Sequence, residues 1–133
     1  MIRYLLILLL FIIISSCRKN TVIESSGLYL NTCTLKTFNT ETINICFDSI
    51  NDSRCPSDVT CVWSGVAIAK FTFTKANISY PLTLTTLPVF HPYSSDTIVA
   101  GYKFHLVNIL PYPKFSSPAS PSGIDALLDI SKL

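Results

Sequence analysis

Four of the five cysteines and both histidines carry the reactive chemistry of this sequence. They are Cys33, Cys46, Cys55, Cys61, His91 and His105. Thiolates bind zinc, act as nucleophiles or oxidise to disulfides, and imidazoles bind metals or transfer protons. The compartment selects among these uses, because thiols stay reduced in the cytosol and pair as disulfides after export. The N-terminal residues are the part of a chain that reports on its compartment.

The first seventeen residues have the pattern of a secretory signal. Arg3 precedes an unbroken apolar run over residues 4–14, and two serines then lead to Cys17. The run is shorter than the roughly 20 residues that a membrane-spanning helix needs, and a small-residue cleavage site follows it. Residues 14–17, Ile-Ser-Ser-Cys, resemble the lipobox of bacterial lipoproteins. The resemblance implies that the Cys17 thiol is diacylated and that this cysteine becomes the mature N-terminus.

This resemblance divides the chain into three parts. We expect a signal peptide over residues 1–16, a lipidated cysteine with a polar tether over residues 17–27, and a single domain over residues 28–133. Two acyl chains hold a protein on a membrane stably, where one chain would be marginal. No acidic residue closely follows Cys17. We therefore expect a protein of the bacterial cell envelope, anchored in the outer membrane and facing the periplasm.

An exported chain favours disulfide bonds for the remaining four cysteines. Four cysteines allow three pairings. We favour Cys33 with Cys46 and Cys55 with Cys61, because neighbours in the sequence meet most often. A domain of this size buries a modest core, so two such links matter for its stability.

The histidines and acids give no recognisable catalytic or metal-binding pattern. The sequence has no nucleophile elbow, phosphate-binding loop, His-Glu-x-x-His motif or dinucleotide-binding fingerprint. A zinc site would need both His91 and His105 together with a carboxylate or a free thiol. We therefore expect no metal, no cofactor and no enzymatic activity. An envelope hydrolase without a known motif is the alternative.

The densest run of distinctive residues covers 52–65 and reads Asp-Ser-Arg-Cys-Pro-Ser-Asp-Val-Thr-Cys-Val-Trp-Ser-Gly. It resembles a motif of small bacterial secreted proteins and lipoproteins: Asp-Ser-Arg-Cys-Pro, a second cysteine after five intervening residues, then x-Trp-x-Gly. Weaker similarity continues at residues 101–102 and 110–113. That family has no assigned activity to carry over. The resemblance does imply a local bond between Cys55 and Cys61.

The favoured interpretation of this stretch is structural. Trp63 packs against the disulfide, as tryptophans do in immunoglobulin-like cores, and Gly65 allows either a close approach of two backbones or a bulge. The charge of Arg54 is used in an ion pair with Asp52 or Asp58.

The alternative interpretation is functional. The disulfide loop is then a rigid recognition tip that exposes Arg54 and Asp58 to a protein partner. His91, on the loop predicted over residues 87–95, is a further candidate contact residue.

Alternation of apolar and polar residues predicts a β-hairpin in the middle of the chain. Its strands cover residues 63–73 and 78–85, and Pro81 places the second strand at a sheet edge. The face predicted to be buried holds Trp63, Ala67, Ala69, Phe71, Phe73, Tyr80, Leu82 and Leu84. Further strands are predicted over residues 97–99 and 102–110, with weaker candidates over 27–35 and 42–47.

The C-terminal part is a Ser- and Pro-rich surface connection over residues 114–123, followed by a segment of two possible structures. Residues 124–131 alternate as a strand does, yet they also fit a helical stripe. We favour the strand, because the rest of the chain is predicted to be all-β. Six or seven short strands predict a disulfide-stapled β-sandwich, immunoglobulin-like, with a small β-barrel as the alternative.

The charge balance narrows the class of partner. The chain has 10 Lys and Arg residues against 8 Asp and Glu, and without Arg3 the net charge is +1. Scattered, nearly balanced charges give no footprint for nucleic acid. We therefore expect an envelope protein with a binding or structural role, whose partners are the membrane and an unidentified envelope protein. An inhibitor of a protease or lysozyme is the alternative within that class.

Overall fold

The computed structural model describes residues 26–133. Within that range the chain forms ten β-strands and one short 3₁₀ turn at Pro121–Gly123. The strands are β1 (Ser26–Tyr29), β2 (Thr32–Phe38), β3 (Glu41–Asp52), β4 (Ala67–Lys75), β5 (Ile78–Thr85), β6 (Val89–Phe90), β7 (Tyr93–Ser94), β8 (Asp96–Val99), β9 (Tyr102–Leu110) and β10 (Asp125–Lys132). The predicted signal peptide, the lipidated Cys17 and nearly all of the tether lie outside the described residues.

The strands form two sheets that pack face to face. Sheet A has the order β1-β10-β9-β8, and sheet B has the order β2-β3-β4-β5-β7-β6. Neither sheet closes on itself, so the predicted β-sandwich is confirmed and the barrel is excluded. No helix in the described part of the chain has the length and apolarity to cross a membrane.

The core lies between the sheets and is built by the alternation that the sequence shows. In the β4–β5 hairpin, Phe71 pairs with Leu82 and Ala69 with Leu84, and all four side chains are buried. Aromatic rings join the two sheets, because Phe73 of β4 and Phe104 of β9 meet edge to face at 4.8 Å between ring centroids. The predicted hairpin and its inward face from Ala67 onward are therefore confirmed.

Trp63 was predicted to lie on this buried face, and that prediction was wrong. The side chain is 82% exposed, and β4 begins only at Ala67. The apolar alternation counted from Trp63 includes loop residues whose backbone is not extended along the sheet. Gly65, two residues later, has a positive φ of 67°, which breaks the alternation between Trp63 and β4.

Of two further predicted segments, one is confirmed and the other contains secondary structure that was not predicted. Residues 125–132 form the strand β10, paired with β9 and β1, so the favoured strand is confirmed and the helical stripe is excluded. The segment predicted as a loop over residues 87–95 contains the small hairpin β6–β7. This hairpin pairs with β5 only at Leu84, so most of β5, including Pro81, keeps one free edge.

Both disulfides have the favoured pairing, Cys33 with Cys46 and Cys55 with Cys61. Cys33 and Cys46 are register partners in neighbouring strands β2 and β3. Their bond therefore fastens the edge strand of sheet B to the sheet interior. The bond from Cys55 to Cys61 closes a small loop inside the connection from β3 to β4.

The sandwich has two contrasting ends. At one end, which we call the tight-turn end, two-residue turns join β2 to β3, β4 to β5 and β8 to β9. At the other, the loop end, long connections over residues 53–66 and 111–124 lie side by side. β1 starts at Ser26 opposite Leu128 and reaches Tyr29 opposite Asp125, so it runs toward the loop end.

Candidate functional site

The base of the disulfide loop is closed by backbone contacts between its two arms. The amide of Ser53 donates to the carbonyl of Val66 at 2.9 Å, and the amide of Cys55 donates to the carbonyl of Ser64 at 2.8 Å. Gly65 sits where the arms touch, and a Cβ there would collide with the Ser53 carbonyl. The close backbone approach predicted for this glycine is confirmed.

Arg54 is the centre of a hydrogen-bond cluster beneath the loop. Its Nε and Nη2 donate to the two carboxylate oxygens of Asp52 at 2.8 and 2.6 Å. Its Nη1 donates to the Ile109 carbonyl at 2.9 Å and to Oδ1 of Asn108 at 3.2 Å, and its guanidinium lies 4.6 Å from the ring centroid of Tyr112. Such a bidentate pair with further acceptors fixes geometry as well as charge.

This cluster shows that Arg54 is not an exposed contact residue and that its charge is used in an ion pair within the chain. Arg54 is only 6% exposed, so the interpretation of this residue as an exposed contact for a partner was wrong. The end of β9 covers it and supplies two of its acceptors. Of the two ion pairs considered, the one with Asp52 forms, at 2.6 Å.

Asp58 fastens the disulfide loop to the connection between β9 and β10. Its carboxylate accepts from the amide of Phe115 at 2.7 Å, and from the amide and hydroxyl of Ser116 at 2.9 and 2.6 Å. The Ser116 hydroxyl and the two backbone amides hold the pKa of Asp58 well below its usual range. Asp58 is exposed, as predicted, but its oxygens are engaged within the chain.

Four apolar side chains project from the two fastened segments. They are Val59 (43% exposed), Val62 (106%), Trp63 (82%) and Phe115 (77%), which we call the apolar tip. Trp63 therefore does not pack into the core beside the disulfide. The positive φ at Gly65 and the hydrogen bond from the Cys55 amide to the Ser64 carbonyl fix the backbone on either side of Trp63, and its side chain points to solvent.

The two histidines lie in different parts of the fold. His91 is exposed in the turn between β6 and β7, along the β5 edge of sheet B, whereas His105 lies on β9, in register with Asp96 and Asp129. Within residues 26–133 no three His, Cys, Asp or Glu side chains are grouped so as to hold a metal ion. Among the described residues no hydrogen bond or ion pair joins His91 to the disulfide loop, and the buried Arg54 cannot share an exposed contact surface with Asp58 and His91.

A shallow depression of about 200 Å³ lies beside the disulfide loop. Its walls are mostly apolar and come from the end of β9 and from the proline-rich connection, with Asp52 and Lys114 as the charged members. No histidine lines it. Asp52 is already bound by Arg54, so the charged groups of this depression are one ion-paired carboxylate and one lysine.

Val62 and Phe115 were not predicted as candidate contact residues, although both project from the loop end. A signal was present in each case. Val62 and Trp63 are consecutive large apolar residues directly after Cys61, where a surface loop usually has polar residues. Phe115 is an aromatic residue within a Ser- and Pro-rich connection. Apolar side chains in segments that cannot reach a core are candidates for contact with a partner.

Comparison with known protein families, with curated proteins and with solved structures gives no match for this chain.

Proposed function

We propose that this chain is a lipid-anchored binding domain of the bacterial cell envelope, without a catalytic centre, which presents its loop end to a partner. The observation that carries the proposal is the apolar tip: Val62 and Trp63 are almost fully exposed on a loop that a disulfide, Asp58 and Gly65 hold in place. A monomeric protein rarely exposes grouped apolar side chains unless they meet something.

Two features support the envelope as the location. Both disulfides need an oxidising compartment, which for a bacterium lies outside the cytoplasm. The run of residues 14–17 supplies the means of anchoring, since Cys17 stands where lipoproteins carry their acylated cysteine.

The anchoring part is tested with the variant Cys17→Ser. The wild-type chain should partition into the detergent phase of an envelope extract and float with vesicles, while the variant should be found in the aqueous phase or stay unprocessed. Unchanged partitioning of the variant would contradict anchoring through Cys17.

The binding part is tested by chemical cross-linking of the full chain in intact cells. We expect one reproducible adduct with another protein, unchanged in the variants His91→Ala and His105→Ala. Absence of any adduct over a range of cross-linker lengths would contradict a binding role. Loss of turnover of an envelope substrate in a folded histidine variant would instead show an enzyme.

A further inference from the structure

We infer that the edge strand β2 is an association surface for a second copy of this chain, through which two copies of sheet B join into one continuous antiparallel sheet. The inference goes beyond the proposed function, since it uses a different side of the domain from the apolar tip. Three observations carry it: the free backbone edge of β2, the protection of the other sheet edges, and the residues that a twofold pairing of β2 brings together.

The backbone of β2 is hydrogen-bonded on one side only. Among the described strands β2 pairs only with β3, and it is the outermost strand of sheet B. Antiparallel neighbours alternate between hydrogen-bonded pairs and closer pairs without hydrogen bonds. Cys33 and Cys46 form a close pair, with 3.9 Å between their Cα atoms, so the amide and carbonyl of Cys33 point away from β3. By the same alternation those of Leu35 and Thr37 also point away, which leaves three amides and three carbonyls free along one edge.

The other edges of the two sheets are protected. In β5 the middle of the free edge is Pro81, which has no amide proton to donate, and the hairpin β6–β7 pairs with the same strand at Leu84. The edge strands of sheet A, β1 and β8, have four residues each, against seven in β2. Prolines, covering segments and short strands are means by which proteins prevent association through sheet edges. Among the described edge strands, β2 has none of these three.

A twofold pairing centred on Leu35 uses the whole of β2. Leu35 is the middle residue of the seven, so it then lies opposite Leu35 of the second copy, and Cys33 lies opposite Thr37 of the second copy. Every outward amide and carbonyl of both strands finds a partner in this register. The Leu35 side chain, which is 69% exposed on the outer face, packs against its copy across the seam.

Lys36 opposes the neighbouring register. It is the one charged residue of β2, and like charges directly opposite each other destabilise a strand pair. A pairing centred on Lys36 would set two ammonium groups against each other. In the pairing centred on Leu35, Lys36 instead lies opposite Thr34 of the second copy, and both residues are half-buried on the inner side of β2. Both the strand length and the charge therefore favour the register that joins Leu35 to its copy.

This pairing leaves the apolar tip uncovered. The paired strands run antiparallel, so the loop ends of the two copies lie at opposite ends of the joined sheet. A seam of two seven-residue strands buries less than the roughly 800 Å² per partner of a standard interface, so we expect a reversible dimer. The dimer presents two tips, and two linked contacts raise the avidity for a partner that has two sites.

The first experiment measures amide hydrogen exchange by NMR on the full chain, purified from the native cells in a neutral detergent, at increasing protein concentration. The amides of Cys33, Leu35 and Thr37 should become more protected, because they donate across the seam. The amides of Ser79 and Thr83 are the matched control, since they point outward from β5, and they should exchange at a constant rate. Constant exchange at all of these amides, or equal protection at both edges, overturns the inference and leaves the proposed function standing.

The second experiment compares two lysine substitutions by analytical ultracentrifugation in the same detergent. Leu35→Lys places two ammonium groups directly opposite each other and should raise the dimer dissociation constant about tenfold or more. Ser79→Lys adds the same charge to the outer face of β5 and should stay within about twofold of the wild type. Both positions are exposed, so both variants should unfold at the wild-type denaturant concentration. Unchanged dimerisation of Leu35→Lys, or a wild-type chain that is monomeric up to about 1 mM, contradicts the inference.

The third experiment identifies what lies against β2 in the native cells. The photo-reactive amino acid benzoylphenylalanine at position 35 should give an adduct of two copies of the chain, whereas position 79 should not. An adduct from position 35 with a different protein overturns the inference in favour of a foreign strand. Absence of an adduct between copies from position 35, or equal adducts from both positions, also overturns it.

Discussion

One charged side chain organises the hydrogen bonds at each end of the sandwich, Arg54 at the loop end and Glu41 at the tight-turn end. The two differ in which of their hydrogen-bond partners water could replace. Arg54, at the loop end, is a single donor for several acceptors: Asp52, Asn108 and the carbonyl of Ile109. Glu41, at the tight-turn end, is a single acceptor for several donors: Tyr102, Lys75 and Lys132. The lysines are partly exposed and keep water as an alternative partner. At Arg54 the acceptor without this alternative is the buried Ile109 carbonyl, whereas Asp52 is partly exposed.

The two ends also treat their aromatic side chains differently. At the tight-turn end, the ring of Tyr102 is fully buried, with Phe38 against its edge and the ammonium of Lys75 5.2 Å from its centroid. At the loop end, Trp63 and Phe115 have no such cover. Among the described residues, the two most exposed aromatic side chains, Trp63 and Phe115, thus both lie at the loop end, which is the end we propose to meet a partner.

The largest expected difference in stability is between alanine substitutions of two glycines with positive φ, Gly65 at the loop end and Gly101 at the tight-turn end. Gly65→Ala should destabilise the protein by about 4 kcal/mol, because the left-handed backbone and the collision with the Ser53 carbonyl both oppose a Cβ. Gly101→Ala should cost about 1 kcal/mol, since its φ of 85° is unfavourable but no atom lies within 4 Å of the new Cβ. Denaturant unfolding measures both. Equal costs would mean that the two arms of the disulfide loop do not touch at Gly65.

The next largest effect concerns the hydrogen bonds around Arg54 and Glu41. Arg54→Met should cost about 2 kcal/mol, because it leaves the buried Ile109 carbonyl without its donor and removes the charged partner of the partly exposed Asp52. Lys75→Met at the tight-turn end should cost far less, because Glu41 keeps Lys132 and the Tyr102 hydroxyl. Thermal or denaturant unfolding measures the loss of stability in both variants. A small loss for Arg54→Met would show that Arg54 is free for a partner after all.

A smaller effect is the acid sensitivity of the tight-turn end. Hydrogen bonds from Lys132, Tyr102 and Lys75 lower the pKa of Glu41 from 4.5 to about 2. A depressed carboxyl pKa stabilises the fold above pH 4.5, and this stabilisation is lost as the pH falls toward 2. In Glu41→Gln, the free energy of unfolding should therefore fall less steeply than in the wild type as the pH is lowered from about 6 to about 2. An acid limb identical to that of the wild type would contradict the stabilising role of the Glu41 carboxylate.

The smallest expected effect on stability belongs to the apolar tip. Trp63→Ser should change the free energy of unfolding by no more than about 0.5 kcal/mol, as for other exposed positions. The wild-type emission of this single tryptophan should match that of tryptophan in water. A loss of several kcal/mol would restore the prediction that Trp63 packs beside the disulfide.

Much of the fold could be predicted because alternation acts locally. The side chains of a strand point to opposite faces with a period of two, so the apolar residues of Ala67–Lys75 and Ile78–Thr85 define both strands and their facing sides. The local pattern of residues 124–131 fits a strand and a helix equally, and the strand Asp125–Lys132 was favoured because the rest of the chain is predicted to be all-β. The limits of β4 were missed because apolar loop residues before Gly65 happen to continue the pattern.

The candidate site was harder to predict, because burial in a loop depends on a distant segment. Arg54 and Trp63 both belong to the stretch 52–65, and nothing in their local pattern says which one is covered. The end of β9 lies 55 residues further along the chain than Arg54 and supplies the carbonyl that this guanidinium needs. Trp63 meets no comparable segment and stays exposed.

The sequence by itself determined the all-β class, the core face of the central hairpin from Ala67 onward and the favoured disulfide pairing. These depend on neighbours within about 20 residues, where spacing and side-chain type act directly. Only the tertiary structure decided which residues of the disulfide loop are buried and which project. That outcome depends on how the connection after β9 folds across the loop, a contact between segments that no local pattern encodes.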